Sequence, residues 1–126
     1  MKEKINYRLS SSVNEGILEI VGTGEITKNT IDRLHDEIIE IVKAENTKAV
    51  LCDVRALKGP EDIVAAYFRV RRIPPSVKGR PYAAVVAPPE NRAYQSFYEI
   101  TSVNVGHLVK FFTDIEAARA WLKSML

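Results

Sequence analysis

Residues 48–54 read KAVLCDV, and from Ala49 to Cys52 the run is apolar without a break. An uninterrupted apolar strand of this length is what a sheet requires where both of its faces are covered. Such a strand belongs inside a parallel sheet flanked by helices, so its reading decides the fold class. The next residues change character: Asp53, Arg55 and Lys58 fall within six positions, and Gly59-Pro60-Glu61-Asp62 follows. Pro60 suits a first helical position, where its missing N–H costs nothing. Glu61 and Asp62 then sit at the positive end of the helix dipole. The stretch therefore predicts a buried strand, a polar loop and a helix start.

Upstream of it, INYRL (5–9) and ILEIVGTGEI (17–26) are expected as two strands of an antiparallel hairpin joined through SSSVNEG (10–16). A helix is expected from Thr27 to Glu45, with Ile31, Leu34, Ile38, Ile41 and Val42 as its core stripe. Downstream, the helix after Pro60 turns Ile63, Val64, Tyr67 and Val70 inward and stops at Pro74-Pro75. PYAAVVA (81–87) is another buried strand. Pro88-Pro89 opens a helix with Ala93, Phe97 and Ile100 on its inner face. HLVKFF (107–112) is the last strand, and Lys110 places it near an edge of the sheet. Thr113-Asp114-Ile115-Glu116 has the spacing of a capping box, and Ala117, Ala118, Trp121, Leu122 and Met125 are expected to pack inward from the helix it starts. The order ββαβαβαβα predicts one α/β domain over residues 1–126. It has about four helices and a mixed sheet, in which an N-terminal antiparallel hairpin precedes mostly parallel strands.

Composition agrees with a single folded domain. The 126 residues are 46% hydrophobic and 27% charged, which is ordinary for a globular chain. A net charge of +2 is too small to imply nucleic-acid binding. One cysteine, Cys52, excludes an internal disulfide and fits a reducing compartment. MKEKINYRLS carries no apolar signal core, and no stretch has the length a membrane span needs. A cytoplasmic location is expected.

Catalytic and metal chemistry find little support in the residues. His35 and His107 lie in different elements with no ligand-spaced partners. Cys52 sits in an apolar strand, where a thiol is inert packing. Ser10-Ser11-Ser12 reads as a turn, and Gly22-Thr23-Gly24 lacks the third glycine of a dinucleotide fingerprint because Thr27 holds its place. No cofactor is expected. If the chain were an enzyme, Asp53 and Glu61 would be its acid–base pair and Arg55 its anion clamp. Arg69, Arg71, Arg72, Lys78 and Arg80 form a basic segment, whereas Asp32, Asp36, Glu37, Glu40 and Glu45 outnumber the basic residues of the first helix. This split suits docking by complementary charge; a solvated helix face is the plainer account of it.

Ligands of open α/β sheets gather beyond the carboxyl ends of the parallel strands. Those ends supply Asp53, Arg55, Lys58 and Gly59 after one strand, Pro88 to Arg92 after the next, and Thr113-Asp114 after the last. Tyr94 and Tyr98, at i and i+4, border the inner face of the helix after Pro89, where their hydroxyls can reach a ligand and packing is the plainer role. Asp62, Arg71 and Arg92 complete the set of candidate binding residues. Two accounts of the loop stay open. Arg55 and Lys58 hold an anion, or Asp53 and Arg55 pair with each other.

The element order, the long first helix before AVLCDV, and the ending GHLVKFFTDIEAARAWL together resemble the STAS domains of anti-sigma-factor antagonists. The closer likeness is to the STAS-like proteins described as SpoIIAA-like. In the antagonists a strand ending in Asp or Asn leads to an Asp-Ser-Ser-Gly stretch whose first serine is phosphorylated by a partner kinase. Laid on this sequence without gaps, Asp53 takes the strand end, Leu57 the loop hydrophobe and Glu61 the motif aspartate. Asp62 takes the phosphorylated serine, with Ile63 and Val64 on the serine and glycine after it. With Asp62 in the serine's place, the phosphorylation switch is not expected. The resemblance implies a non-enzymatic module that binds a protein partner or a second copy of itself as a homodimer. STAS-like chains also resemble the lipid-binding CRAL-TRIO fold, which gives the alternative of a small anionic or lipid ligand at the loop after residues 48–54.

Overall fold

The computed structural model describes residues 6–59, 82–88, 92–104 and 108–126. The helix expected after Pro60, the basic segment and His107 lie outside the described residues. Within them the chain builds β1 (Asn6–Asn14), β2 (Ile17–Glu25), α1 (Ile31–Glu45), β3 (Ala49–Lys58), β4 (Tyr82–Val86), α2 (Arg92–Asn104), β5 (Val109–Phe112) and α3 (Ile115–Met125). The five strands lie side by side in chain order, β1 antiparallel to β2 and each later neighbour parallel. This is the expected mixed sheet of an α/β domain.

The pleat divides the core in two. On one face Ile17, Ala49, Leu51, Ala84 and Val86 pack under Ala118 and Leu122 of α3, with Phe112 and Trp121 alongside. On the other, Leu18, Ile20 and Val50 pack against Ile38, Ile41 and Val42 of α1. The alternation along ILEI thus serves both layers, which is why KAVL needs no polar side. Among the described residues no helix is long and apolar enough to cross a membrane.

Five local readings are corrected. Residues 10–12 are strand and not turn: β1 runs unbroken to Asn14 against β2, and the reversal is Glu15-Gly16 alone, with φ of 54° and 81°. Positive φ at both residues is the type I′ geometry that matches strand twist, so the serines continue the edge strand. Second, β3 extends to Lys58. The pairing of β3 with β2 slips between Val21↔Asp53 and Thr23↔Ala56, so Val54 and Arg55 together oppose Gly22. This β-bulge interrupts the side-chain alternation and disguises the second half of the strand as a loop. Gly22 accommodates it, because a Cβ there would stand 2.6 Å from Leu57 Cδ1.

The remaining three corrections concern helices. α1 begins at Ile31 with Thr30 as its N-cap residue, one turn after the expected start; Thr27 still accepts from Ile31 N–H at 2.9 Å. In α2 the inward positions are Thr101 and Ser102, both buried, while Ile100 is 63% exposed. α3 is capped by Asp114 and not Thr113: its carboxylate accepts from Ala117 N–H at 3.2 Å. Ala117 is consequently exposed, and Ala118 and Leu122 carry the contact.

Candidate functional site

Asp53 and Arg55 meet at the bulge. The guanidinium donates twice to the carboxylate, Nε to Oδ1 at 2.9 Å and Nη2 to Oδ2 at 2.8 Å, and the Arg55 backbone N–H adds a third bond at 3.2 Å. Paired, fork-to-fork contacts are the strong form of such a bond. The Arg55 hydrogen bond holds the Asp53 carboxyl below its usual range, against a smaller opposing effect of burial. A carboxylate held ionised in this way is a poor proton shuttle, and the guanidinium that would clamp an anion is already engaged. Of the two accounts left open by the sequence, the geometry gives local pairing.

A second pair stands beside the first. Glu19 of β2 accepts from Arg119 of α3 at 3.0 and 2.9 Å, and Arg119 also donates to Glu116 at 2.6 Å. Glu19 and Asp53 share the α3 face of the sheet, since Glu19 is registered with Leu51 and Val21 with Asp53. The charge of Arg119 acts on Asp53, and that of Asp114 acts on Arg55. The result is a cluster of alternating charge in which the Glu19–Arg119 pair ties β2 to α3 and the Asp53–Arg55 pair of β3 is coupled to it by charge.

Beyond β5 lies an open cleft of ≈ 390 Å³ lined by residues of α2, β5 and α3, including Gln95, Glu99, Phe111 and Asp114. Glu99 crosses it to accept the Phe111 backbone N–H at 2.8 Å. Tyr98 packs edge-on against Phe111, with ring centroids 5.7 Å apart. Lys110 lies on the opposite face of β5, 5.5 Å from the Phe112 ring and 5.9 Å from that of Trp121. The edge of the sheet at β5 is thereby closed by a carboxylate, a lysine and α2, the devices that stop strand-to-strand association.

The remaining predicted residues disperse. Lys58 ends β3 in an exposed position, its carbonyl accepting from Ile26 N–H at 2.8 Å, and Gly59 follows tightly against Ile26. Arg92 and Tyr94 stand in the first turn of α2, their side chains beyond the described structure. Asp62 and Arg71 lie outside the described residues. Cys52 packs against the Leu18 cluster, and burial pushes its thiol up to about 12, as inert packing requires. Among the described residues no group of three His, Cys, Asp or Glu could hold a metal ion. The sequence reading missed Glu19, Arg119 and Glu99, and placed Asp114 only at the end of the last strand. A charge at Glu19, interrupting the apolar run of Ile17, Leu18, Ile20 and Val21, was the one available signal.

A mixed five-stranded sheet with an antiparallel first strand and helices on both faces is a SpoIIAA-like fold, and solved structures of other proteins share it. One is the crystal structure of an anti-sigma factor antagonist from Mycobacterium paratuberculosis, with a TM-score of 0.60 and 17% identity over 93% of this chain and 94% of that one. Another is an uncharacterized protein of the DUF3478 family with a SpoIIAA-like fold from Shewanella loihica, with a TM-score of 0.58 and 16% identity over 97% of this chain and 98% of that one. No family model matches the chain, and no curated protein matches it.

Proposed function

We propose that the chain is a non-enzymatic STAS-like interaction module that binds a protein, a second copy of itself included, without a phosphorylation switch. The observation that carries this reading is the state of the charges at the carboxyl end of the sheet. Asp53 is bound to Arg55 and Glu19 to Arg119, so the groups best placed for proton transfer or anion capture hold each other. The fold supports the same direction: one solved structure that shares it is named an anti-sigma factor antagonist, a protein that acts on another protein. Asp62 at the position of the antagonists' serine supports the lack of a switch.

The test is cross-linking of the tagged chain in its own cells, with intact-mass measurement of the recovered protein. The reading expects discrete cross-linked species, hetero- or homotypic, and one unphosphorylated mass. A chain that cross-links to nothing, or one recovered as a phosphorylated form, contradicts it.

A further inference from the structure

The two edges of the sheet are treated differently. β5 is short, carries Lys110, and has its outward Phe111 N–H taken by Glu99. β1 is nine residues long, contains no proline and only one charge, Arg8, and is exposed from Ser10 to Asn14. Its register with β2 is continuous from Asn6 to Asn14, without a bulge. Among the described residues no strand pairs with its outer side. A long, flat, nearly uncharged edge is a template for another strand unless it is covered.

The turn determines which backbone groups that edge presents. A two-residue type I′ turn closes on a hydrogen-bonded pair, here Asn14↔Ile17. Hydrogen-bonded and non-bonded pairs then alternate along the ladder. The backbone groups of Asn14, Ser12, Ser10, Arg8 and Asn6 therefore point to β2, and those of Val13, Ser11, Leu9 and Tyr7 point outward.

We infer that this edge pairs antiparallel with β1 of a second copy of the chain, about a two-fold axis at Ser10. The inference rests on the reading of the chain as an interaction module and names its partner. In that register Leu9 faces Ser11 of the other copy, Tyr7 faces Val13, Arg8 faces Ser12, and Ser10 faces Ser10. Every outward N–H and C=O from Tyr7 to Val13 then finds a partner, giving about eight new hydrogen bonds. Val13, 47% exposed in one copy, gains an aromatic neighbour, a favourable cross-strand pairing. The two Arg8 side chains stand about 14 Å apart along the strand direction, at ~3.4 Å per residue, beyond the screening length at physiological salt. Shifting the register by two residues toward the N-terminus would halve that separation and leave outward groups unpaired. Charge and hydrogen bonding thus select the same alignment, and a two-fold contact of one patch with itself closes as a dimer.

The experiment uses the axial residue. Ser10 is exposed and its backbone groups belong to the β1–β2 ladder, so Ser10→Lys and Ser10→Glu leave the fold intact while placing like charges face to face across the axis. Light scattering with size exclusion over a range of concentrations should show a dimer for the wild type. Dimerisation should weaken by roughly tenfold or more in each variant alone and return when the two variants are mixed. Ser11→Pro, which removes an outward N–H and is a change an edge strand tolerates, should also weaken it. A monomeric wild type overturns the inference, as does a dimer indifferent to all three changes. In the second case the interaction-module reading stands and only the surface is wrong; in the first, cross-linking to a different protein decides that reading separately.

Discussion

At the scale of single residues, the pairing of Asp53 with Arg55 has a consequence that pH can read. Asp53 titrates below its ordinary value in the folded chain because Arg55 hydrogen-bonds the ionised form. It therefore contributes stability that is fully present above the unfolded value of about 4 and lost as pH falls through the lower folded one. Asp53→Asn should lower the unfolding temperature at neutral pH, and the gap to the wild type should close in denaturation scans below pH 4. A gap constant from pH 7 to pH 3 would show that the ion pair contributes nothing. Both residues of this pair were legible in the sequence, as was the choice between anion binding and local pairing. Glu19 with Arg119 was not legible: the two are 100 positions apart, and only the sheet register and the placement of α3 bring them together.

At the scale of elements, the reading from sequence succeeds where a pattern serves one layer and fails where a local device breaks it. KAVLCDV and PYAAVVA are buried strands as expected, and the stripe of α1 meets the Leu18 cluster. The bulge at Val54–Arg55 hid the end of β3, because an extra residue inverts the alternation on which strand recognition relies. Ser10–Ser12 looked like a turn because serine is common in turns, whereas edge strands tolerate it equally well. In α2, apolar spacing pointed to Ile100, but the helix turns Thr101 and Ser102 inward to meet the sheet. This assignment predicts contrasting substitutions. Leu122→Ala, at a fully buried site, should cost about 3 kcal/mol in chemical denaturation. Ile100→Ala, at an exposed one, should cost about 0.5 kcal/mol or less. A cost at Ile100 as large as that expected at Leu122 would mean that α2 is packed the other way round.

At the scale of the whole molecule, the sheet has one edge sealed by Glu99 and another, β1, with no strand on its outer side among the described residues. The α/β class, the single domain and the antiparallel hairpin at the start all followed from element order. The asymmetry between the edges did not, because it depends on Glu99 reaching the Phe111 N–H from another element and on the unbroken register of β1. That asymmetry gives the proposed association its direction: it uses β1, while β5 and its cleft stay outside the strand-pairing contact. The most direct measurement is residue-resolved amide hydrogen exchange of the intact chain at low and high protein concentration. The backbone N–H groups of Tyr7, Leu9, Ser11 and Val13 should become protected as concentration rises, while Phe111, already bonded to Glu99, stays unchanged. Exchange at those four positions that is fast and independent of concentration would contradict the account.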